Sequence, residues 1–172
     1  AVLKQIELKL ATHAPERGGA LLGLPNSNLV TEFVDDPTAT VTTSTYVPSK
    51  QLTLSVNNYE LRHGLELKGI VHSHPGDMDR PSIQDAYAFS SVLDKNPELS
   101  RLIVPIVTMG YQKNAVSDND IELNSFVKLS SFTATRRKEA STNDFGFNQR
   151  NKAIVELSSS SVFPLQEHAE LL

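Results

Sequence analysis

The stretch that most constrains this chain is residues 68–85, where two histidines stand at the end of a short apolar run. Gly69-Ile70-Val71 is rich in β-branched residues and a Pro-Gly turn follows closely, so the run predicts a buried strand. Because successive strand residues point to opposite faces, His72 and His74 share one face and Ser73 points to the other. The sequence therefore predicts two imidazoles side by side at a strand end.

A carboxylate follows these histidines at the start of a predicted helix. Ser82 suits an N-cap, which places Asp85 in the first turn on the side of the Ser82 side chain. His72, His74 and Asp85 then converge within fourteen residues as a three-ligand zinc set with an open fourth position. The alternative for each piece is structural, since Ser-x-x-Asp is also typical of a capping box and strand histidines are often only packed. The convergence of all three favours metal.

The spacing His72-x-His74-x(7)-Ser82-x(2)-Asp85 resembles the signature of the JAMM (MPN-plus) metalloproteases. An upstream segment that begins at Glu16, with the sequence ERGGALLG, is similar to the glutamate segment of their prokaryotic branch. The resemblance covers about residues 1–110. It implies a single α/β domain with a curved mixed β-sheet flanked by helices, the JAB/MPN fold, which is cytidine-deaminase-like.

The resemblance also implies a zinc-dependent isopeptidase or peptidase that cleaves the bond after the C-terminus of a ubiquitin-like protein. In that scheme His72, His74 and Asp85 hold Zn²⁺, Glu16 moves the proton of the attacking water to the leaving amine, and Ser82 donates to the oxyanion. The implied partners are ubiquitin-like or sulfur-carrier proteins and their conjugates, with E1- or E2-like enzymes as further candidates. The short spacing between His74 and Ser82 predicts deconjugation or precursor processing without built-in selectivity for one polyubiquitin linkage.

The composition of the chain limits which cellular compartment and which partners we expect. The chain has 172 residues, which suits one domain, and a net charge of −4 with a pI near 5.7, which does not favour nucleic acid as a partner. It has no cysteine, which excludes thiolate zinc sites and cysteine-protease chemistry and is typical of a cytoplasmic protein. No apolar run approaches the ~20 residues of a membrane helix, so we predict no membrane association.

Three other functions compete with the protease. A non-catalytic MPN-minus scaffold usually lacks one or more ligands, whereas all five site residues are present here. A DNA-repair-associated relative has a His-Asn-His-Pro motif followed by Pro-Ser-x-x-Asp, and Pro81-Ser82-Ile83-Gln84-Asp85 matches its second half. Ser73 and the Glu16 segment favour the protease branch instead. The zinc nucleobase deaminases need a Cys-x-x-Cys pair, which this chain lacks.

The rest of the chain reads as short helices and strands. We assign residues 1–132 to the JAB/MPN domain and residues 133–172 to a C-terminal extension of that domain or a partner-docking tail. Arg136-Arg137-Lys138 predicts a solvated face, and His13 and His63 predict surface or packing roles. The predicted elements are a helix or strand-to-helix entry at 2–12, strands at 19–23, 29–34, 40–47, 102–108 and 121–129 (the last strand), helices at 57–63 and 83–93, and loops at 111–120 and 143–148.

Overall fold

The chain is described by a computed structural model over residues 1–11, 16–41, 46–76, 78–110, 116–117, 119–136 and 155–161. Its helices are α1 (Val2–Leu10), α2 (Lys50–His63) and α3 (Ile83–Lys95). Its strands are β1 (Gly18–Gly23), β2 (Glu32–Asp35), β3 (Thr40–Val41), β4 (Tyr46–Val47), β5 (Glu66–His74), β6 (Arg101–Ile103), β7 (Ile106–Met109), β8 (Asp120–Asn124), β9 (Val127–Ser130), β10 (Phe132–Arg136) and β11 (Val155–Ser159). The predicted α/β class is confirmed.

Strand β5, which carries the two histidines, is the centre of a curled mixed sheet. One edge of β5 pairs antiparallel with β1, whose far edge pairs with β2. The other edge runs parallel first to β6 and then to β7. From there the sheet continues through β10 to β11 on one branch and through β9 to β8 on the other. The end of β5 therefore lies between two supporting strands, β1 and β7.

Pro105 divides the strand that the sequence predicted over residues 102–108. The two halves, β6 and β7, both lie along β5 and are separated by Val104-Pro105. Proline has no N–H to donate to a ladder, but its carbonyl can still accept, and it accepts from the His72 N–H at 3.3 Å. The prediction of one continuous strand was therefore wrong, because Val104-Pro105 interrupts it and one strand becomes two.

The helices cover both faces of the sheet. Ile6 and Leu10 of α1 pack with Val71 of β5 on one face, while Phe89 and Leu93 of α3 pack on the other face. Residue Ile70 belongs to the α3 cluster, and His72 and His74 have the same parity along β5, so both imidazoles lie on the α3 face. The predicted helix-flanked sheet is confirmed. No helix within the described residues is long and apolar enough to span a membrane.

Several predicted boundaries were wrong because a local signal was misinterpreted. The helix predicted at 57–63 begins at Lys50, since Ser49, just beyond the strand predicted at 40–47, is its N-cap and accepts from the Leu52 N–H at 3.0 Å. The segment predicted as one strand at 40–47 contains the paired strands β3 and β4. The strand predicted at 29–34 begins only at Glu32. Strand β2 ends at Asp35, one residue beyond the prediction, and α2 ends at His63, as predicted.

The C-terminal part of the described chain also differs from the expectation. The predicted last strand at 121–129 is a hairpin of β8 and β9, and β10 and β11 follow it and pair with each other. Arg136 does not belong to a solvated face, because it is half-buried and donates to the carbonyls of Leu93 and Asn96 at the end of α3. His63 is exposed, as predicted. His13, Arg137, Lys138, the loop at 143–148, the tail at 162–172 and much of the loop at 111–120 lie outside the described residues.

Candidate metal centre

Asp85 reaches the histidines because the start of α3 is locked by a reciprocal cap. The Ser82 hydroxyl accepts from the Asp85 N–H at 3.2 Å, and the Ser82 N–H donates to Asp85 Oδ2 at 2.6 Å. The capping box that was the structural alternative is therefore real. It does not compete with a ligand role, because it holds the carboxylate in one orientation and leaves Oδ1 free of the cap.

The three predicted ligands meet at one buried point. His72 Nε2 lies 2.9 Å from His74 Nε2. It also lies 3.1 Å from Asp85 Oδ1, while His74 Nε2 lies 3.3 Å from Asp85 Oδ2. One candidate ligand atom from each residue lies within 4.8 Å of the others, and all three side chains are buried. Such a set can hold a metal ion.

The hydrogen bonding of His74 shows why a cation fits here. Its Nδ1 lies 3.0 Å from the Met78 carbonyl oxygen, which can only accept, so Nδ1 carries the proton. In the neutral ring Nε2 is then an acceptor, and it faces another acceptor, Asp85 Oδ2. A cation bound between these lone pairs would relieve their repulsion. A histidine that binds a metal usually donates from its other ring nitrogen to an acceptor such as a carbonyl, as His74 does here.

The protonation of the cluster is set by burial and by its internal contacts. Burial alone would raise the pKa of Asp85, but the hydrogen bonds from His72 and His74 outweigh it and hold that pKa far below its usual range. Burial lowers the pKa of His72. Burial also opposes charge on His74, but its hydrogen bond to Asp85 prevails and raises the pKa of that imidazole. That hydrogen bond needs a proton on His74 Nε2, and a metal would displace this proton, because metals take the neutral imidazole whose Nε2 accepts.

Glu16 lies beside the cluster, although alone it would be taken for a solvated surface residue. The β1–β5 register explains its place: Gly18 pairs with His72, and extending that register past the strand end sets Arg17 against Ser73 and Glu16 against His74. Ser73 secures this extension, since its N–H donates to the Arg17 carbonyl at 2.7 Å and its hydroxyl accepts from the Arg17 N–H at 2.9 Å. Ser73, which points to the face opposite the two histidines, thus helps to position Glu16.

The Glu16 carboxylate is buried and incompletely satisfied. The residue is 4% exposed, and its Oε2 has no hydrogen-bond partner among the described residues. Burial raises the pKa of Glu16, and its interactions with His74 and Asp85 act in opposite directions on that pKa. A buried carboxylate oxygen that lacks a partner among the described residues is costly in a folded protein, and a bound water or a catalytic role would account for it.

Sequence reasoning missed the support behind His72. The Tyr46 ring stacks on the His72 ring with centroids 5.8 Å apart and 13° between planes. Its hydroxyl donates to Asp36 Oδ2 at 3.1 Å, and a Cβ on Gly18 would come within 2.6 Å of the Tyr46 ring. The glycine pair at the start of β1 was the available signal, because glycine inside a strand indicates close approach by another group.

Comparison with known proteins gives a family and a fold. A family model described as prokaryotic homologs of the JAB domain matches residues 1–119. The solution structure of a protein from Desulfitobacterium hafniense is 14% identical with a TM-score of 0.55, covering 98% of this chain and 93% of that one. A JAB1/MPN domain protein from Archaeoglobus fulgidus is 23% identical with a TM-score of 0.39, covering 66% of this chain and 79% of that one. No curated protein matches the chain in sequence.

Proposed function

This chain belongs to the family of prokaryotic JAB-domain proteins, and we propose that it is a zinc-dependent peptidase that cleaves the bond after the C-terminus of a ubiquitin-like protein. The observation that carries the proposal is the convergence of His72, His74 and Asp85 within 4.8 Å, beside the buried carboxylate of Glu16. A scaffold that only binds partners needs neither the converging ligands nor the buried base.

Two imidazoles and one carboxylate are a ligand set typical of catalytic zinc, with an open position. Bound zinc supplies a water nucleophile at neutral pH and polarises the carbonyl under attack. The residues that would hold it are His72, His74 and Asp85. The Met78 carbonyl fixes the tautomer of His74, and the Ser82 N–H fixes the Asp85 carboxylate, so the chain itself orients two of the three ligands.

Glu16 is the proposed general base. A base works best when its pKa lies near the operating pH, and burial raises the pKa of this carboxyl in that direction. Its Oε2 has no partner in the described chain and is therefore available to accept a proton from the attacking water. The same carboxyl would then return the proton to the leaving amine, which needs it to depart as a neutral group.

Ser82 is the proposed oxyanion donor. Its oxygen accepts from the Asp85 N–H, which uses one lone pair and leaves the hydroxyl proton available to donate. A donor aimed at the developing negative charge stabilises the tetrahedral intermediate more than the substrate, which is the requirement for catalysis. The capping role and the catalytic role use different parts of the same hydroxyl.

Replacing Ser82 with glycine is expected to lower kcat by about 100- to 1,000-fold with little loss of stability. Loss of one oxyanion donor typically costs that much, whereas glycine at an N-cap costs only a few tenths of a kcal/mol. Steady-state kinetics with thermal unfolding would measure both. Ser82→Thr is the matched control, because it restores a hydroxyl; a Ser82→Gly enzyme with wild-type kcat would contradict the donor role.

The proposed substrate is the extended C-terminal tail of a ubiquitin-like or sulfur-carrier protein, joined to a conjugated protein or to its own precursor. We propose that the tail adds as a strand at a sheet edge, where backbone hydrogen bonds supply affinity without demanding a particular sequence. Within the described residues, β2, β8 and β11 each have a strand neighbour on one side only. The proposal places this reaction in the cytoplasm.

The test is cleavage of a ubiquitin-like protein fused through its C-terminus to a reporter. Zinc-loaded protein is expected to release the reporter at the junction, to stop when a chelator is added and to resume with added zinc. The Glu16→Gln variant, which keeps the ligands, controls for contaminating proteases. Tight binding of the fusion without cleavage, by protein that holds stoichiometric zinc, would favour the scaffold function instead.

A further inference from the structure

Lys128 on β9 is a buried cation that the proposed chemistry does not use. Its side chain is 2% exposed, and its Nζ lies 2.8 Å from Asp79 Oδ2 and 3.1 Å from Asp120 Oδ2. Lysine is rarely buried unless it is paired, because removing the ammonium from water is costly. The two carboxylates meet that cost and raise the pKa of Lys128 despite its burial. A charge held this way calls for a reason in the surrounding structure.

Lys128 lies in the same row of the sheet as a metal ligand. Thr108 of β7 pairs with His74 of β5, and it pairs on its other side with Lys128. Directly paired residues project to the same face, so Lys128 lies two strands from His74 on the face that carries the candidate metal centre. Its partner Asp79 belongs to residues 78–81, the loop that leads into the Ser82 cap of α3.

That loop bears on two of the three ligands. Met78, the residue before Asp79, accepts from His74 Nδ1 at 3.0 Å and so orients the ring. At its C-terminal end the loop leads into Ser82, whose N–H holds the Asp85 carboxylate in the helix cap. A loop that shifts at Asp79 would move the Met78 carbonyl and turn the imidazole. Lys128 anchors it at this point to a strand of the sheet.

We propose that the Lys128–Asp79 ion pair is a positioning device for the metal ligands, holding the 78–81 loop so that the Met78 carbonyl keeps His74 in its ligating orientation. The inference deepens the proposed function and rests on it. Asp120 has a separate part: its side chain is 6% exposed and pairs with Lys128 independently of Asp79, so we expect that pair to persist when Asp79 is removed. Deleting the Asp79 carboxylate therefore frees the loop without leaving a buried unpaired ammonium.

The experiment is a cobalt titration of metal-free wild-type protein and the Asp79→Ala variant, followed by the visible absorption of the bound ion. The variant is expected to bind Co²⁺ about tenfold more weakly, within the 10–100-fold range typical of residues that orient a ligand. The unfolding temperature of the metal-free variant is expected to match that of the wild type. Asp79→Asn, which keeps an acceptor oxygen, is expected to recover most of the affinity.

Glu66→Ala is the matched control. It removes the carboxylate that lies 2.6 Å from the Nζ of Lys68, another largely buried lysine. Both residues are on β5, the strand that carries the two histidines, and the change should leave cobalt affinity unchanged. Equal affinities in wild type and Asp79→Ala, or a weaker affinity that accompanies an equal loss of metal-free stability, would overturn the positioning role. A wild type that binds no cobalt would overturn both this inference and the proposed function. Weakened cobalt binding in Asp79→Ala, with no cleavage of any fusion by wild type, would overturn the proposed function and support the positioning role.

Discussion

Replacing Glu16 with glutamine is expected to reduce peptide hydrolysis by about 100- to 10,000-fold, the usual contribution of a general base. Glutamine has nearly the same shape but cannot accept the proton of the attacking water. Bound zinc should be unchanged, because the converging ligand atoms belong to His72, His74 and Asp85. Single-turnover cleavage of a ubiquitin-like fusion, with zinc measured on the same sample, gives both quantities. Cleavage by Glu16→Gln at the wild-type rate would remove Glu16 from the mechanism.

The same variant is expected to make the metal-free protein more resistant to heat at neutral pH. Burial raises the pKa of Glu16 above its ordinary value of 4.5, so the folded state holds this proton more tightly than the unfolded state does. Stability therefore falls as pH rises through the window above 4.5, where the buried carboxylate must carry charge. Glutamine carries no charge at any pH. Thermal unfolding across pH should show the gain at neutral pH and its disappearance in acid; equal profiles would mean that the carboxylate is already satisfied.

Replacing His74 with alanine is expected to abolish stoichiometric zinc. Only two of the three proposed ligands remain. The loss of zinc affinity should therefore exceed the 10–100-fold effect of removing a residue that merely orients a ligand. Because His74 also donates to the Met78 carbonyl, the variant releases the 78–81 loop as well. Zinc per chain on purified protein that has never met a chelator is the measurement.

His63→Ala is the control for that experiment, since His63 is an exposed histidine on α2 whose ring packs beside Tyr59. It should retain full zinc. Zinc retained by the His74 variant would mean that the ion binds elsewhere. Wild-type protein that holds no zinc and takes up none when zinc is added would overturn the hydrolase proposal.

The parts of the site that could be predicted depend on neighbours within a few residues. Strand alternation places His72 and His74 on one face, and the N-cap at Ser82 places Asp85 in the first turn of α3. Both follow from the geometry of a single element, which the local sequence encodes. The errors have the same origin. A serine that follows a proline can end a strand or cap a helix, and the residues around Ser49 do not distinguish the two.

Other parts of the site were decided only by the tertiary structure. Glu16 becomes a buried partner of His74 through the β1–β5 register, in which Arg17 and Ser73 meet across 56 residues of chain. Lys128 finds Asp79 across 49 residues, and Tyr46 reaches His72 because Gly18 leaves room. Sequence alone therefore determined which side chains one strand and one helix present. The fold decided which of them are buried together, because burial and long-range pairing depend on how separate elements pack and no local pattern records it.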